Sequence, residues 1–167
     1  IAITGNLEPP AGAPGSTMRT LEELQPSWGK KITDASERFE TVLDGAAVLD
    51  KETGLVWEKS PDTTTRTWVN AVLSAYNKTV GGRKGWRLPT IEELESLADP
   101  TQSNPALPSG HFITNVQVNH YWSSTTRVES TTTALDVGFN DGNVNGNAKS
   151  NEFNVWCVRG GHGHDAF

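Results

Sequence analysis

Short strand candidates, then two amphipathic helices, then strands again: this order along 167 residues predicts an α+β fold. The expected form is a single compact domain of short antiparallel strands and two helices, preceded by an extended N-terminal arm. A length of about 150 residues is the common size of one domain with its own core. Only 20% of the residues are charged, so the polarity comes from Thr, Ser and Asn, and 16 Gly accompany them. That mixture suits short strands and many turns better than helical bundles.

Residues 1–37 read as the arm. Ile1-Ala2-Ile3-Thr4 is a short strand candidate. Glu8 to Ser16 contains Pro9, Pro10 and Pro14 among glycines and reads as an extended linker, because Pro removes donors and Gly adds backbone entropy. Thr20-Leu21-Glu22-Glu23-Leu24 predicts one helical turn, with Thr20 as cap and Glu23 completing the box. Met18, Leu21 and Leu24 would then share one apolar face, which a single turn cannot bury alone. That face docks either on the chain's own body or on a neighbouring subunit. In the second case Ile1 and Ile3 would add a strand to an exposed sheet edge.

Residues 38–161 read as the body and 162–167 as a flexible tail. Phe39–Leu43 and Ala46–Asp50 are strand candidates around the turn dipeptide Asp44-Gly45. Gly54–Glu58 follows as a third. Thr63-Thr64-Thr65 is a loop. Trp68, Ala71, Val72, Ala75 and Tyr76 then recur with helical spacing, predicting a helix over about 67–78 that Gly81-Gly82 stops. Thr90-Ile91-Glu92-Glu93 is a capping box, and Leu94, Leu97 and Ala98 extend that helix to about 98. Pro100, Pro105 and Pro108 force a loop through His111. Tyr121–Thr126, Thr133–Phe139 and Phe153–Arg159 read as strands, with an Asn-Gly-rich turn between the last two.

No stretch approaches the about 20 apolar residues that a bilayer span needs, so no membrane span is expected. A net charge of -6 with scattered basic residues argues against nucleic acid as a partner. One Cys cannot make an internal disulfide framework or a multi-cysteine zinc site. The first residue is Ile1 rather than Met, which fits a processed export precursor or a trimmed chain.

Five blocks in order carry a resemblance. They are Gly54-Leu55-Val56-Trp57-Glu58-Lys59, Thr67-Trp68, Gly85-Trp86-Arg87-Leu88-Pro89-Thr90-Ile91-Glu92-Glu93-Leu94, Tyr121-Trp122-Ser123-Ser124-Thr125, and Trp156-Cys157-Val158-Arg159-Gly160-Gly161. Together they resemble the Lcl C-terminal domain family, named for the terminal domain of a bacterial collagen-like adhesin. The resemblance implies a secreted or cell-surface domain with a C-type-lectin-like topology. In the adhesin it is associated with trimerisation and with binding of sulfated glycosaminoglycans. Members often carry a cysteine near the position of Tyr76 that could partner the cysteine of the last strand. Here Ser74-Ala75-Tyr76-Asn77 has none, so Cys157 is expected to be a buried free thiol. The acidic balance also opposes a polyanionic ligand.

Several residues are candidates for binding. Asp141-Gly142-Asn143-Val144-Asn145-Gly146 followed by Glu152 satisfies the D-x-[DN]-x-[DN]-G-x5-E calcium pattern, with hard oxygens from Asp141, Asn143, Asn145 and Glu152. The flanking segments alternate like strands rather than helices, so a β-hairpin turn using Asn and Gly is the preferred reading and calcium the alternative. Phe139-Asn140-Asp141 is similar to the Trp-Asn-Asp strand of calcium-dependent lectins, without their Glu-Pro-Asn-type loop. Trp57, Trp68, Trp86, Trp122 and Trp156 are assigned to core packing, while Trp28 or Tyr121 would serve as a platform for sugar stacking. Arg87 and Arg159 are expected to pair with carboxylates such as Glu93. His162-Gly163-His164-Asp165 reads as a solvated tail or a transition-metal chelate. His111 and His120 read as surface or hydrogen-bonded histidines. Asn77-Lys78-Thr79 is the one N-x-[ST] glycosylation pattern.

No nucleophile elbow, P-loop or dinucleotide fingerprint is present, so no enzyme is expected. The sequence thus predicts an exported adhesion or binding module that takes a polysaccharide or protein partner through its loops. Self-association as a trimer or filament is expected, with calcium the one cofactor in question. The alternative is a structural subunit of an extracellular filament, with the arm making the intersubunit contacts.

Overall fold

A computed structural model of the chain describes residues 32–160. The arm residues Ile1, Ile3, Met18, Leu21, Leu24 and Trp28 and the His162–Asp165 tail lie outside the described residues. The architecture is α+β, with two small antiparallel sheets and short helices. The chain runs through α1 (Ala35–Arg38), β1 (Phe39–Val42), β2 (Ala47–Asp50), β3 (Leu55–Glu58), α2 (Trp68–Asn77) and α3 (Ile91–Leu97). It continues through β4 (His120–Thr126), β5 (Thr133–Gly138), β6 (Asn143–Ala148) and β7 (Val158–Gly160). One sheet has the order β1-β2-β3-β7 and the other β4-β5-β6.

The expected turns and caps account for most of these boundaries. Leu43, Asp44 and Gly45 all take positive φ in the β1–β2 turn. Gly81, also at positive φ, lies so close to that turn that an added Cβ would come within 2.6 Å of Leu43 Cβ. The loop after α2 therefore needs glycine there for space as well as conformation. Thr90 accepts from Glu93 N while the Glu93 side chain accepts from Thr90 N, closing the capping box of α3.

Residues on β1 to β5 divide between two cores. Val48, Leu55 and Trp57 of the first sheet and Tyr121 and Val137 of the second face the cluster that takes Ile91, Leu94 and Leu97 of α3. Ala47, Trp122 and Ala134 face the other cluster, which takes Ala71 and Ala75 of α2 and the free, buried Cys157. Trp57, Trp86, Trp122 and Trp156 are among the largest fully buried side chains, as expected of core tryptophans, while Trp68 is half-buried.

Three elements depart from the sequence reading. α1 is a single turn that Asp34 caps through Ser36 N, too short to leave a periodic signal. The Asn-rich stretch is itself a strand: β6 pairs with β5 from Gly138↔Asn143 to Thr133↔Ala148, so the hairpin turn is only 139–142. Finally, Phe153–Arg159 is not one strand. Phe153 bridges Arg66, Asn154 runs parallel to Tyr121, and Val158 bonds both Arg87 and β3. This segment crosses from one sheet to the other and changes partner every few residues, which leaves regular pairing only at β7.

Arg38 and Asp50 form a buried ion pair under α3. Arg38 Nε donates to Asp50 Oδ1 at 2.8 Å and Nη2 donates to Oδ2 at 2.6 Å and to Ser96 O at 2.9 Å. Both side chains are almost wholly excluded from water. Breaking such a pair strands a charge in the interior. Asp50→Asn should lower unfolding free energy by about 3–5 kcal/mol, measured by denaturant titration against the parent chain.

Candidate functional site

Two irregular loops and one crossing segment border an open cleft of about 460 Å³ lined by Thr63, Thr65, Val116, Gln117, Val118, Asn119 and Asn154. One wall is the 62–66 loop. Asp62 accepts from Thr64 N at 2.9 Å and from Arg66 Nη2 at 2.7 Å, and Arg66 Nη1 donates to Thr64 O at 2.9 Å. The Thr64 amide and then the Arg66 guanidinium hold the Asp62 carboxyl down at about 2. The wall is fastened to the core because Arg66 O accepts from both Phe153 N and Trp122 Nε1.

The opposite wall is the 115–119 loop. Gln117 N donates to the Tyr121 hydroxyl at 2.7 Å, Asn119 Oδ1 accepts from His120 N at 2.8 Å, and Asn115 Nδ2 donates to Pro61 O at 3.1 Å. The last of these bonds joins the two walls. Asn154 forms the floor: its backbone bonds His120 O and Trp122 N, and its Nδ2 donates to Thr63 O at 3.2 Å. Its Oδ1 is buried and has no hydrogen-bond partner.

Next to the cleft, the buried Asp136 carboxylate lies 2.6 Å from His120 Nδ1 and accepts from Asn147 Nδ2 at 2.9 Å. His120 also stacks on Phe153 at 4.9 Å between centroids. This histidine is hydrogen-bonded, as the sequence suggested. A second groove, of about 370 Å³, lies beside α2 and is lined by Val72, Tyr76, Trp86 and Leu88, with the Arg87–Glu93 ion pair at its edge.

The match to known families is decided over residues 46–159, which align with the model of the Lcl C-terminal domain. The chain belongs to the Lcl C-terminal domain family. No curated protein matches it.

Within this Lcl domain the sequence-predicted candidates scatter. Tyr121 is not a sugar platform: it is fully buried against Phe139 and Trp156, and its hydroxyl holds the 115–119 loop. Asn140 and Asp141 are exposed in the β5–β6 turn, where Asp141 accepts from Asn143 N and Nδ2. Asn145 lies on β6 opposite Asp136, and Glu152 lies past the far end of that strand. Asp141, Asn143, Asn145 and Glu152 therefore do not come together as one helix-flanked loop. Among the described residues no group of three or more His, Cys, Asp or Glu is placed to hold a metal.

Arg87 pairs with Glu93 through both nitrogens at 2.7 Å, as anticipated, whereas Arg159 makes no ion pair among the described residues. Asn77 is exposed at the end of α2. Tyr76 is 78% exposed and Ala75 carries the buried position instead. Sequence reasoning missed the cleft altogether. Its walls and floor come from stretches around residues 63, 117 and 154, with no motif linking them.

The wall-anchoring Tyr121 and the buried Cys157 set an alkaline limit. Burial pushes the Tyr121 hydroxyl up to about 12 and the Cys157 thiol up to about 12. Unfolded, these groups ionise near about 10 and about 8.5. The folded chain keeps both protons while the unfolded chain loses them, so this stability is complete below pH about 8.5 and is lost as pH rises toward 12. Each group should contribute a slope of about 1.4 kcal/mol per pH unit in its window. Denaturant unfolding from pH 8 to 11 checks this: Cys157→Ala should flatten the fall between about 8.5 and 10, and Tyr121→Phe the added fall above about 10.

Proposed function

We propose that this chain is the binding module of an exported, cell-surface protein, engaging a partner outside the cell through the loops that flank β4. The cleft carries this reading. One wall is braced within itself by Asp62–Arg66 and the two walls are joined by Asn115–Pro61, so the site is formed before any partner arrives. Pre-organised polar pockets on a rigid scaffold are what recognition modules use, because little ordering cost is left for binding. Membership of the Lcl C-terminal domain family agrees with an adhesive role. Among the described residues no helix is long and apolar enough to cross a membrane.

One observation favours a second reading, self-assembly into a filament or other surface array. α2 contains no charged residue, and Val69, Leu73 and Tyr76 on its outer side are 55%, 53% and 78% exposed. A face of that kind is a contact surface more often than a solvated one.

Retention of protein-coated beads on a panel of polysaccharide and protein surfaces separates the two readings. The binding module should retain beads on at least one surface, and Val118→Asp at the exposed cleft wall should reduce that retention at least about tenfold, the loss of about 1.4 kcal/mol. Retention should survive removal of residues 1–28. A chain that retains no beads but forms long polymers by electron microscopy, lost on that same truncation, would favour the filament subunit instead.

A further inference from the structure

We infer that the cleft between the 62–66 and 115–119 loops is a saccharide subsite for an uncharged sugar unit. The inference rests on the binding-module reading and names its ligand class.

The floor supplies the first argument. Asn154 is 1% exposed, and its Oδ1 is buried without a partner. Nearly all buried polar atoms in folded proteins are paired, and an unpaired acceptor carries its full desolvation cost. Asn154 lines the cleft, and a donor that reached Oδ1 from there would supply the missing bond. The Nδ2 bond to Thr63 O fixes the amide so that Oδ1 is the atom left over.

The lining supplies the second. Thr63 and Thr65 bring hydroxyls, while Gln117 and Asn119 bring amides. Among the described residues the two Thr hydroxyls, Gln117 Oε1 and Asn119 Nδ2 make no hydrogen bond to protein, whereas Gln117 Nε2 and Asn119 Oδ1 are used in holding the wall. Groups that both donate and accept match the hydroxyls of a sugar ring, which do the same. Val116 and Val118 offer an apolar surface for the ring's C–H face, and Val118 is half exposed. A cleft of about 460 Å³ lies within the about 300–1,000 Å³ of small-molecule sites.

Charge supplies the third. No Lys, Arg, His, Asp or Glu lines the cleft. The nearest cation in the wall, Arg66, is committed to Asp62 and Thr64 O. A sulfate or uronate would be desolvated without a counter-charge, on a chain of net charge -6. The cleft therefore selects neutral sugars over anionic ones.

The test is a titration of the full chain, followed by NMR, with neutral oligosaccharides of glucose, mannose, galactose and N-acetylglucosamine and with sulfated and uronic-acid counterparts. At least one neutral sugar should shift the side-chain amide signals of Asn154, Gln117 and Asn119, with an affinity that does not change with salt. Thr65→Val and Gln117→Ala, whose spectra report whether the fold is kept, should each weaken binding about 3- to 10-fold, the range of one hydrogen bond. Tighter binding of the anionic sugars, or shifts confined to residues outside the cleft, would overturn the inference. So would binding of a protein or peptide, and no sugar, that the same two variants weaken; that outcome would leave the binding-module reading standing. Absence of any partner would overturn both.

Discussion

The indole of Trp156 lies 5.8 Å from Trp57, 5.5 Å from Tyr121 and 5.3 Å from Phe139, centroid to centroid. Trp57 belongs to the first sheet, while Tyr121 and Phe139 belong to the second sheet and the turn leaving it. One side chain thus joins two sheets that share no strand pairing with each other. Its Nε1 donates to Glu58 O at 2.8 Å, which fixes the ring's depth as well as its neighbours. The Trp57–Trp156 contact is edge-to-face, a geometry that adds about 0.5–1.5 kcal/mol per pair beyond area burial, and the other two are tilted. The crossing segment 153–158 takes its irregular course because it must deliver Trp156 to that position. On the way it bonds Arg66, then His120 and Trp122, then Glu58 and Arg87.

The cleft follows from the same constraint. Asn154 is two residues before Trp156, held on the edge of β4 by backbone bonds to His120 and Trp122. Tyr121 packs its ring against Trp156 and sends its hydroxyl to Gln117 N in the opposite wall. Floor and wall are therefore tied to the aromatic core by one residue each, and neither can move without disturbing it. Loops that carry recognition are usually the mobile parts of a domain. The 62–66 and 115–119 loops are braced from below.

What was legible in the sequence was what local physics decides. Thr90 and Glu93 mark the start of α3 because a capping box is a four-residue device. Asp44-Gly45 marks the first turn because few residues accept positive φ. β6 was hidden because Asn143-Val144-Asn145-Gly146-Asn147-Ala148 has the composition of a turn. It becomes a strand only by pairing with β5, with Asn147 reaching the buried Asp136. Tyr121 was misread for a related reason. β4 is buried on both faces, between Val137 on one side and Ala134 and Phe153 on the other, so its pattern gives no inside and no outside. The cleft was illegible altogether, since Asn154 and Thr63 meet across 91 residues of sequence.

Two buried polar centres differ in what surrounds them. Arg38 and Asp50 satisfy each other almost completely, bidentate and with Ser96 O as a third partner, although Arg38 Nη1 stays unpaired. That pair lies under α3, closed off from solvent, and it fixes how the first sheet meets the helix. Asn154 is as deeply buried, but it lines a cleft rather than closed packing. An unpaired atom inside packed structure costs stability at every moment. One at the floor of a cleft bears the same cost only until a ligand donor replaces the missing partner. Of the three unpaired buried side-chain atoms among the described residues, on Arg38, Trp57 and Asn154, the one on Asn154 belongs to a residue that lines the cleft.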